Sequence, residues 1–429
     1  MTASNENTPK TDVPRGLERH LSSMGLWRFA LLFTLAFGSF VWLAANLAHE
    51  FWWQPPALVN PGGAPMGRDF VGFYGAAELA LQGHPASAYD RATLDAVETQ
   101  TIGAPIIYTP WFYPPFVQMM LAPLATVPYL AALMIWLIPP LVGFLMIIRR
   151  FAPHWAAVVA ALLFPGTIES LTIGQNGVLS ALLVAAGLLQ LERKPVIAGL
   201  IFGALSYKPH IALPVYAALL FGRQFQTLAA ALMVALCLAG MSVLSFGFEP
   251  WIAFLQQSHN ARVALEQGQI SLQLMVSPFA AARVAGLSIA TSYAFQAGVV
   301  LIALSALLVA WRRKGPLGPR AAVLAAAIPL ISPYAFNYDL VVLMIPLIWL
   351  IQTGMKSGLK KSEIAILPIV WVIPPLGWVL SWDSHILVTP LVLLAFLYVV
   401  LRRALAPEDP VIENPVSLFA PEVLETSRA

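Results

Sequence analysis

Apolar residues in this chain gather in long runs, divided by short polar breaks that carry pairs and triplets of lysine and arginine. A run of about 18 or more apolar residues can cross a hydrocarbon layer about 30 Å thick, and in lipid a helix satisfies every backbone polar group from within itself. The pattern therefore predicts ten spanning helices, over residues 27–48, 117–148, 153–173, 177–191, 226–246, 289–311, 321–336, 340–355, 363–381 and 386–401. Between Lys194 and Arg223 the apolar stretch is 28 residues long and is broken near its middle by Tyr207, Lys208, Pro209 and His210. It is too short for two crossings of about 20 residues and too long for one upright crossing. Residues 195–222 are therefore predicted to form a re-entrant pair of half-helices.

Charge sets the orientation. With the N-terminus inside, 19 of the 24 basic residues fall on the cytoplasmic side, in keeping with the positive-inside rule. Only Arg68, Arg91, Arg262 and Arg283 fall outside, and Lys208 is left within a hydrophobic region. Ten crossings return the C-terminus to the cytosol. Residues 1–25 and 404–429 are polar, contain proline and lack strong periodicity, so they are expected to be flexible cytosolic tails flanking a single membrane domain at 26–403. The first external loop, 50–115, opens on a Pro/Gly-rich stretch (Pro55, Pro56, Pro61, Gly62, Gly63, Pro65) and continues from Asp69 into an amphipathic helix ending near Gly83 and His84. A second external segment, about 249–287, is predicted to hold an interfacial helix around Trp251–Glu266. The apolar run Trp27–Ala48 is longer than a signal-peptide core and follows a long polar stretch. That predicts an uncleaved first span and a mature chain starting at or near Met1.

Composition excludes a water-soluble globule: 59% of the 429 residues are hydrophobic and 10% charged, against roughly 25% charged in soluble domains. The formal charge of +3 reflects loop anchoring, with no signal for nucleic acid. The single cysteine, Cys237, lies in an apolar run and excludes a disulfide framework or a cysteine metal site within one chain. His84, His154 and His259 lack metal-ligand spacing, and there is no HExxH, EF-hand, P-loop or Rossmann glycine pattern. No cofactor and no metal are expected. Many of the 35 prolines lie inside predicted spans, where each removes a backbone hydrogen bond, so broken helices around a cavity are expected.

Polar residues recur at the predicted external ends of the spans: Arg68 and Asp69; Tyr108 and Tyr113; Glu169; Gln175 and Asn176; Asn337, Tyr338 and Asp339; Asp383 and His385. Topology places all of them at one membrane face, where they are expected to line one pocket. Asp69 reads either as an N-cap of the helix that follows or as a general base held at the interface by Phe70, Phe73 and Tyr74. Lys208 needs an anionic partner at its depth. It reads either as a snorkelling lysine paired with a carboxylate such as Glu169 or, with Pro209 and His210, as a site for an anion such as a lipid phosphate. Tyr113 to Phe116 reads as a rigid bend or a site entrance, Gly174 to Gly177 as a plain tight turn or a pocket wall, and Asp339 as a cap or a site residue.

Taken in order, these pieces resemble the polytopic glycosyltransferases of family 87, whose fold class is GT-C. The resemblance is carried by Arg68–Asp90 (RDFVGFYGAAELALQGHPASAYD), Tyr113–Trp136 (YPPFVQMMLAPLATVPYLAALMIW), Gly174–His210 and Ser332–Leu340 (SPYAFNYDL). It spans most of the membrane region and neither tail. It implies an all-α polytopic membrane protein of GT-C-like fold in the cytoplasmic membrane. Such a protein takes a sugar, often mannose, from a polyprenyl-phosphate donor and passes it to a glycolipid or glycan acceptor on the extracytoplasmic side, with membrane lipids as its surroundings. In the family pattern the acidic residue of the first external loop is the catalytic base, which falls here on Asp69. The lysine–proline element falls on Lys208 and Pro209, and His210 stands where glutamine is expected. The expected substrate-binding set is Arg68, Tyr74, Tyr113, Gln175, Asn176, Lys208, His210, Tyr338, Asp339 and His385.

Two other readings stay open on the sequence. A lipid or small-molecule transporter or flippase would also use broken helices and a buried cation, but transporters commonly pair such interruptions in two related halves, and this chain has one strong lysine–proline break. A catalytically inactive member that scaffolds an envelope assembly is the third.

Overall fold

The computed structural model describes residues 37–45, 58–60 and 62–407. The predicted N-terminal tail, nearly all of the C-terminal tail, most of the first span, and Pro55, Pro56 and Pro61 lie outside these residues. Residues 37–45 are helical and meet a late helix, where Trp371 Nε1 donates to Ser39 Oγ at 2.8 Å.

Every regular element among the described residues is a helix. Strand pairing is confined to isolated bridges, Val59 with Pro65 and Met275 with Phe336. Among the described residues, five helices are long and apolar enough to cross a membrane: Tyr129–Phe151, Phe225–Phe246, Ile289–Arg312, Asn337–Ser357 and Lys361–Trp382. The bent pair Trp155–Leu163 and Pro165–Thr172 makes a sixth if it is one broken span.

Among the described residues, proline and helix length interrupt or shorten several of the predicted spans. The predicted span 117–148 is three pieces, Pro115–Leu121, the 3₁₀ turn Ala122–Thr126 and Tyr129–Phe151. Val127 is extended (φ −120°, ψ 156°), the conformation that the following Pro128 imposes. The predicted span 153–173 bends by 54° at Phe164, extended ahead of Pro165. The span drawn at 321–336 ends at Ile331, because Ser332 is extended ahead of Pro333. Gly177–Gln190, Leu317–Ile331 and Thr389–Ala404 have 14, 15 and 16 residues. At 1.5 Å per residue each reaches only about 21–24 Å, less than the layer. The stretch between Lys194 and Arg223 divides into Pro195–Ala204 and Pro209–Phe221, joined by the 3₁₀ turn Leu205–Tyr207.

Leu317–Ile331 is buried along most of its length, packed against Ile289–Arg312 and Thr389–Ala404. Its alanines 321, 322 and 325–327 explain this. Helices in lipid associate through close van der Waals packing, which small side chains permit. Glycines do the same between Pro195–Ala204 and Phe225–Phe246: a Cβ at Gly199 would fall 2.5 Å from Thr227 O, and one at Gly203 2.5 Å from Val234 Cβ. Arg403, which the charge pattern assigns to the cytoplasmic side, is buried and paired with Glu363 at 3.0 Å. It also donates to Thr353 O and Ser357 Oγ, so the cation ties three helices together.

The loop before the first long span has a core of its own. Phe70, Phe73, Trp111 and Tyr129 are buried, with Phe70 and Tyr129 rings 5.4 Å apart and Phe73 and Trp111 edge to face at 5.8 Å. These aromatic contacts stabilise beyond the apolar area they bury. They seat helix Phe70–Leu81, and hence Asp69 at its start, against the membrane helices.

Candidate active site

Asp69 occupies the N-cap position of Phe70–Leu81, yet its side chain makes no capping hydrogen bond. Asp90, by contrast, caps the next helix in the ordinary way, its Oδ2 accepting from Thr93 N at 2.8 Å. The cap reading of Asp69 therefore fails. Its Oδ2 accepts a hydrogen bond from Gln175 Nε2 at 2.9 Å, and its backbone N–H donates to Ile173 O at 2.8 Å.

Gln175 lies in a turn that glycine makes possible. Gly174 has φ +73°, and a Cβ there would fall 2.7 Å from Gly67 O; at Gly177 a Cβ would fall 1.9 Å from Tyr338 O. Only glycine combines that backbone with such close approach. The turn is thus pressed between the first loop on one side and the 3₁₀ helix Asn337–Leu343 on the other. Ser170 Oγ donates to Gln175 O at 3.1 Å and accepts from Val178 N at 3.3 Å, while Trp136 Nε1 donates to Gly174 O at 3.1 Å.

Asn176 extends the connection. Its Nδ2 donates to Tyr113 Oη at 2.8 Å, and its Oδ1 accepts from Lys208 Nζ at 2.7 Å. Lys208 Nζ in turn donates to Asp339 Oδ1 at 2.5 Å, the two side chains being 3% and 2% exposed. The partner of Lys208 is therefore Asp339 and not Glu169. The first reading of Asp339 also holds, because its Oδ2 accepts from Phe336 N at 3.1 Å. One carboxylate caps the 3₁₀ helix and balances a buried cation. Lys208 Nζ lies 4.8 Å from the centre of the Tyr338 ring, a cation–π arrangement, and Tyr338 stacks on Phe336 with centroids 5.5 Å apart. His210 Nε2 is 3.9 Å from Asp339 Oδ2.

The structure thus gathers Asp69, Tyr113, Gln175, Asn176, Lys208, His210, Tyr338 and Asp339, with Arg68 adjoining Asp69 in the chain. It does not gather Tyr74 or His385. Tyr74 belongs to the loop core and donates its hydroxyl to Val127 O at 3.0 Å. His385 is exposed, in the left-handed conformation that ends helix Lys361–Ser384. Tyr108 also stands apart, beneath the Arg91 guanidinium at 5.1 Å, and the side chain of Asp383 lies outside the described residues.

Two further residues emerge only from the fold. Tyr207 has its hydroxyl 2.6 Å from Ser180 Oγ, and its ring stacks on Tyr113 at 6.4 Å. Glu98 is fully buried in the loop that carries Phe70–Leu81: its Oε2 accepts from Thr109 N at 3.0 Å, and Oε1 has no partner among the described residues. Burial, against that one backbone hydrogen bond, pushes its carboxyl up to about 8. Its signal is spacing, because Glu98 lies on the buried face of Arg91–Ile102 between Leu94 and Ile102, where an apolar residue belongs.

The family model of glycosyltransferase family 87 matches residues 111–333, just over half of the chain. The match takes in Tyr113, Gln175, Asn176, Lys208 and His210, and leaves Asp69, Tyr338 and Asp339 beyond its ends. No curated protein and no solved structure matches the chain.

Proposed function

Because this chain belongs to glycosyltransferase family 87, we propose that it moves a hexose, mannose or a close relative, from a polyprenyl-phosphate donor to a hydroxyl of a glycolipid or glycan acceptor. Asp69 takes the proton of the acceptor hydroxyl as its oxygen bonds to the anomeric carbon. The bond from that carbon to the phosphate oxygen breaks on the opposite face, the electron pair leaves with the polyprenyl phosphate, and the configuration inverts. Lys208 offsets the charge that develops on the departing phosphate. An ammonium has three hydrogens. Asp339 and Asn176 take two of them, and the third serves a phosphate oxygen, with Arg68 adding positive charge and His210 a ring N–H.

The observation that carries this reading is the linked series of contacts from Asp69 through Gln175 and Asn176 to Lys208 and Asp339. It joins a proton acceptor to a cation across segments remote in sequence, and such pre-set geometry removes much of the orientational cost of a two-substrate reaction. We place this site on the extracytoplasmic side of the cytoplasmic membrane, in a GT-C-like domain over 26–403 whose short and broken helices complete the ten crossings and whose tails face the cytosol. The apolar carrier tail stays in lipid while the sugar meets the acceptor, and no cytosolic nucleotide sugar is needed.

The test is transfer by purified protein in detergent, supplied with polyprenyl-phosphate sugars. A covalent product without any sealed compartment is expected, and Asp69→Asn should lower its rate about 100-fold or more with folding unchanged. Vectorial movement of lipid with no product would support the transporter instead.

A further inference from the structure

One acid beside the site is not used above. Glu169 belongs to Pro165–Thr172, the half-helix turned by 54° from Trp155–Leu163. Its neighbour Ser170 holds the Gln175–Asn176 turn by the two hydrogen bonds already described. The Glu169 carboxyl lies within electrostatic range of Asp69, Arg68 and Asp339. Asp69 receives a donor from Gln175, and Asp339 receives donors from Lys208 and Phe336. Glu169 differs: its Oε2 is buried and has no hydrogen-bond partner among the described residues. Buried oxygens without a donor are rare in folded proteins and call for an explanation.

We infer that Glu169 accepts a hydrogen bond from a ring hydroxyl of the transferred sugar and thereby selects which sugar is used. This rests on the donor being a lipid-linked sugar, as proposed above. Inversion requires the base on one face of the anomeric carbon and the phosphate on the other, so the sugar ring lies between Asp69 and Lys208. Glu169 adjoins Ser170, which holds the Gln175–Asn176 turn that links the two ends of that interval. A carboxyl oxygen accepts and a sugar hydroxyl donates, which completes the oxygen that the protein leaves unmatched.

The experiment measures binding in detergent, with no acceptor present, of polyprenyl-phosphate hexoses, their single-position deoxy analogues and bare polyprenyl phosphate. The wild-type chain should bind its preferred sugar more tightly than bare carrier and disfavour one deoxy analogue by about 10- to 100-fold, the cost of leaving a buried acceptor without its donor. In Glu169→Ala that ratio should collapse to about one, while affinity for bare carrier stays the same. Glu169→Gln, which keeps an acceptor oxygen, should retain part of the ratio. If Glu169→Ala keeps the full discrimination, or loses affinity for bare carrier and every sugar alike, Glu169 does not read the sugar and the inference is overturned. If the wild-type chain binds no lipid-linked sugar better than bare carrier, the donor assignment itself falls.

Discussion

Lys208 and Asp339, 131 residues apart in the chain, meet at 2.5 Å with both side chains almost wholly buried. Such a pair stabilises little compared with an apolar one, but removing one partner strands a charge. Lys208→Met or Asp339→Leu alone should lower stability by about 3–5 kcal/mol, and the double replacement should recover most of it. Sugar transfer should stay lost in all three. Thermal unfolding in detergent, combined as a double-mutant cycle, separates the two effects.

Gln175 orients the Asp69 carboxylate without needing to touch the reacting atoms. Gln175→Ala should reduce kcat by about 10- to 100-fold, the effect of losing one hydrogen bond to a charged group, with KM little changed. Gln175→Glu, which sets a second carboxylate where a donor stood, should reduce it further. Steady-state kinetics over donor concentration gives the split, and a change confined to KM would remove Gln175 from this role.

Glu98 should make the loop that carries Phe70–Leu81 sensitive to pH. Its carboxyl is raised from the ordinary 4.5 to about 8 by burial, so between these values the folded loop holds a proton that the unfolded chain has released. Stability therefore falls as pH rises through that window and is greatest below it. Glu98→Gln should flatten this dependence and leave the loop more resistant to proteolysis at pH 8 than the wild type. Limited proteolysis across the window measures it, and identical profiles for the two proteins would contradict the burial of a protonated acid.

Gly177 marks the closest approach in the site. Gly177→Ala places a Cβ against the backbone oxygen of Tyr338, which cannot swing aside as a side chain would. A loss of about 1–3 kcal/mol and a large loss of transfer are expected. Gly240→Ala in helix Phe225–Phe246 meets nothing within 4 Å and should be neutral or slightly stabilising. Comparing the two thermal midpoints checks this.

Much of this protein was written locally in its chain. Apolar runs dictated helices, because lipid leaves the backbone no other way to pair its polar groups. The lysine–proline break at Lys208 and the glycine-bounded turn at Gly174–Gly177 were both legible as interruptions. Local signals did not tell which helices were too short or too bent to cross unaided. A 14-residue helix and a bend at Phe164 follow from how prolines and neighbours divide an apolar run whose composition stays the same.

Partner choice was decided only by the tertiary structure. Asp69 carries the signature of an N-cap, yet its carboxylate serves Gln175. Lys208 demanded some carboxylate, and the fold supplied Asp339 where the sequence pointed to one such as Glu169. Glu98 and Arg403 occupy helix positions whose burial depends on what packs against them. Periodicity along a chain determines which groups must be hidden from lipid or water, because that cost is paid residue by residue. Which donor meets which acceptor depends on distances between helices, and those exist only once the chain has closed on itself.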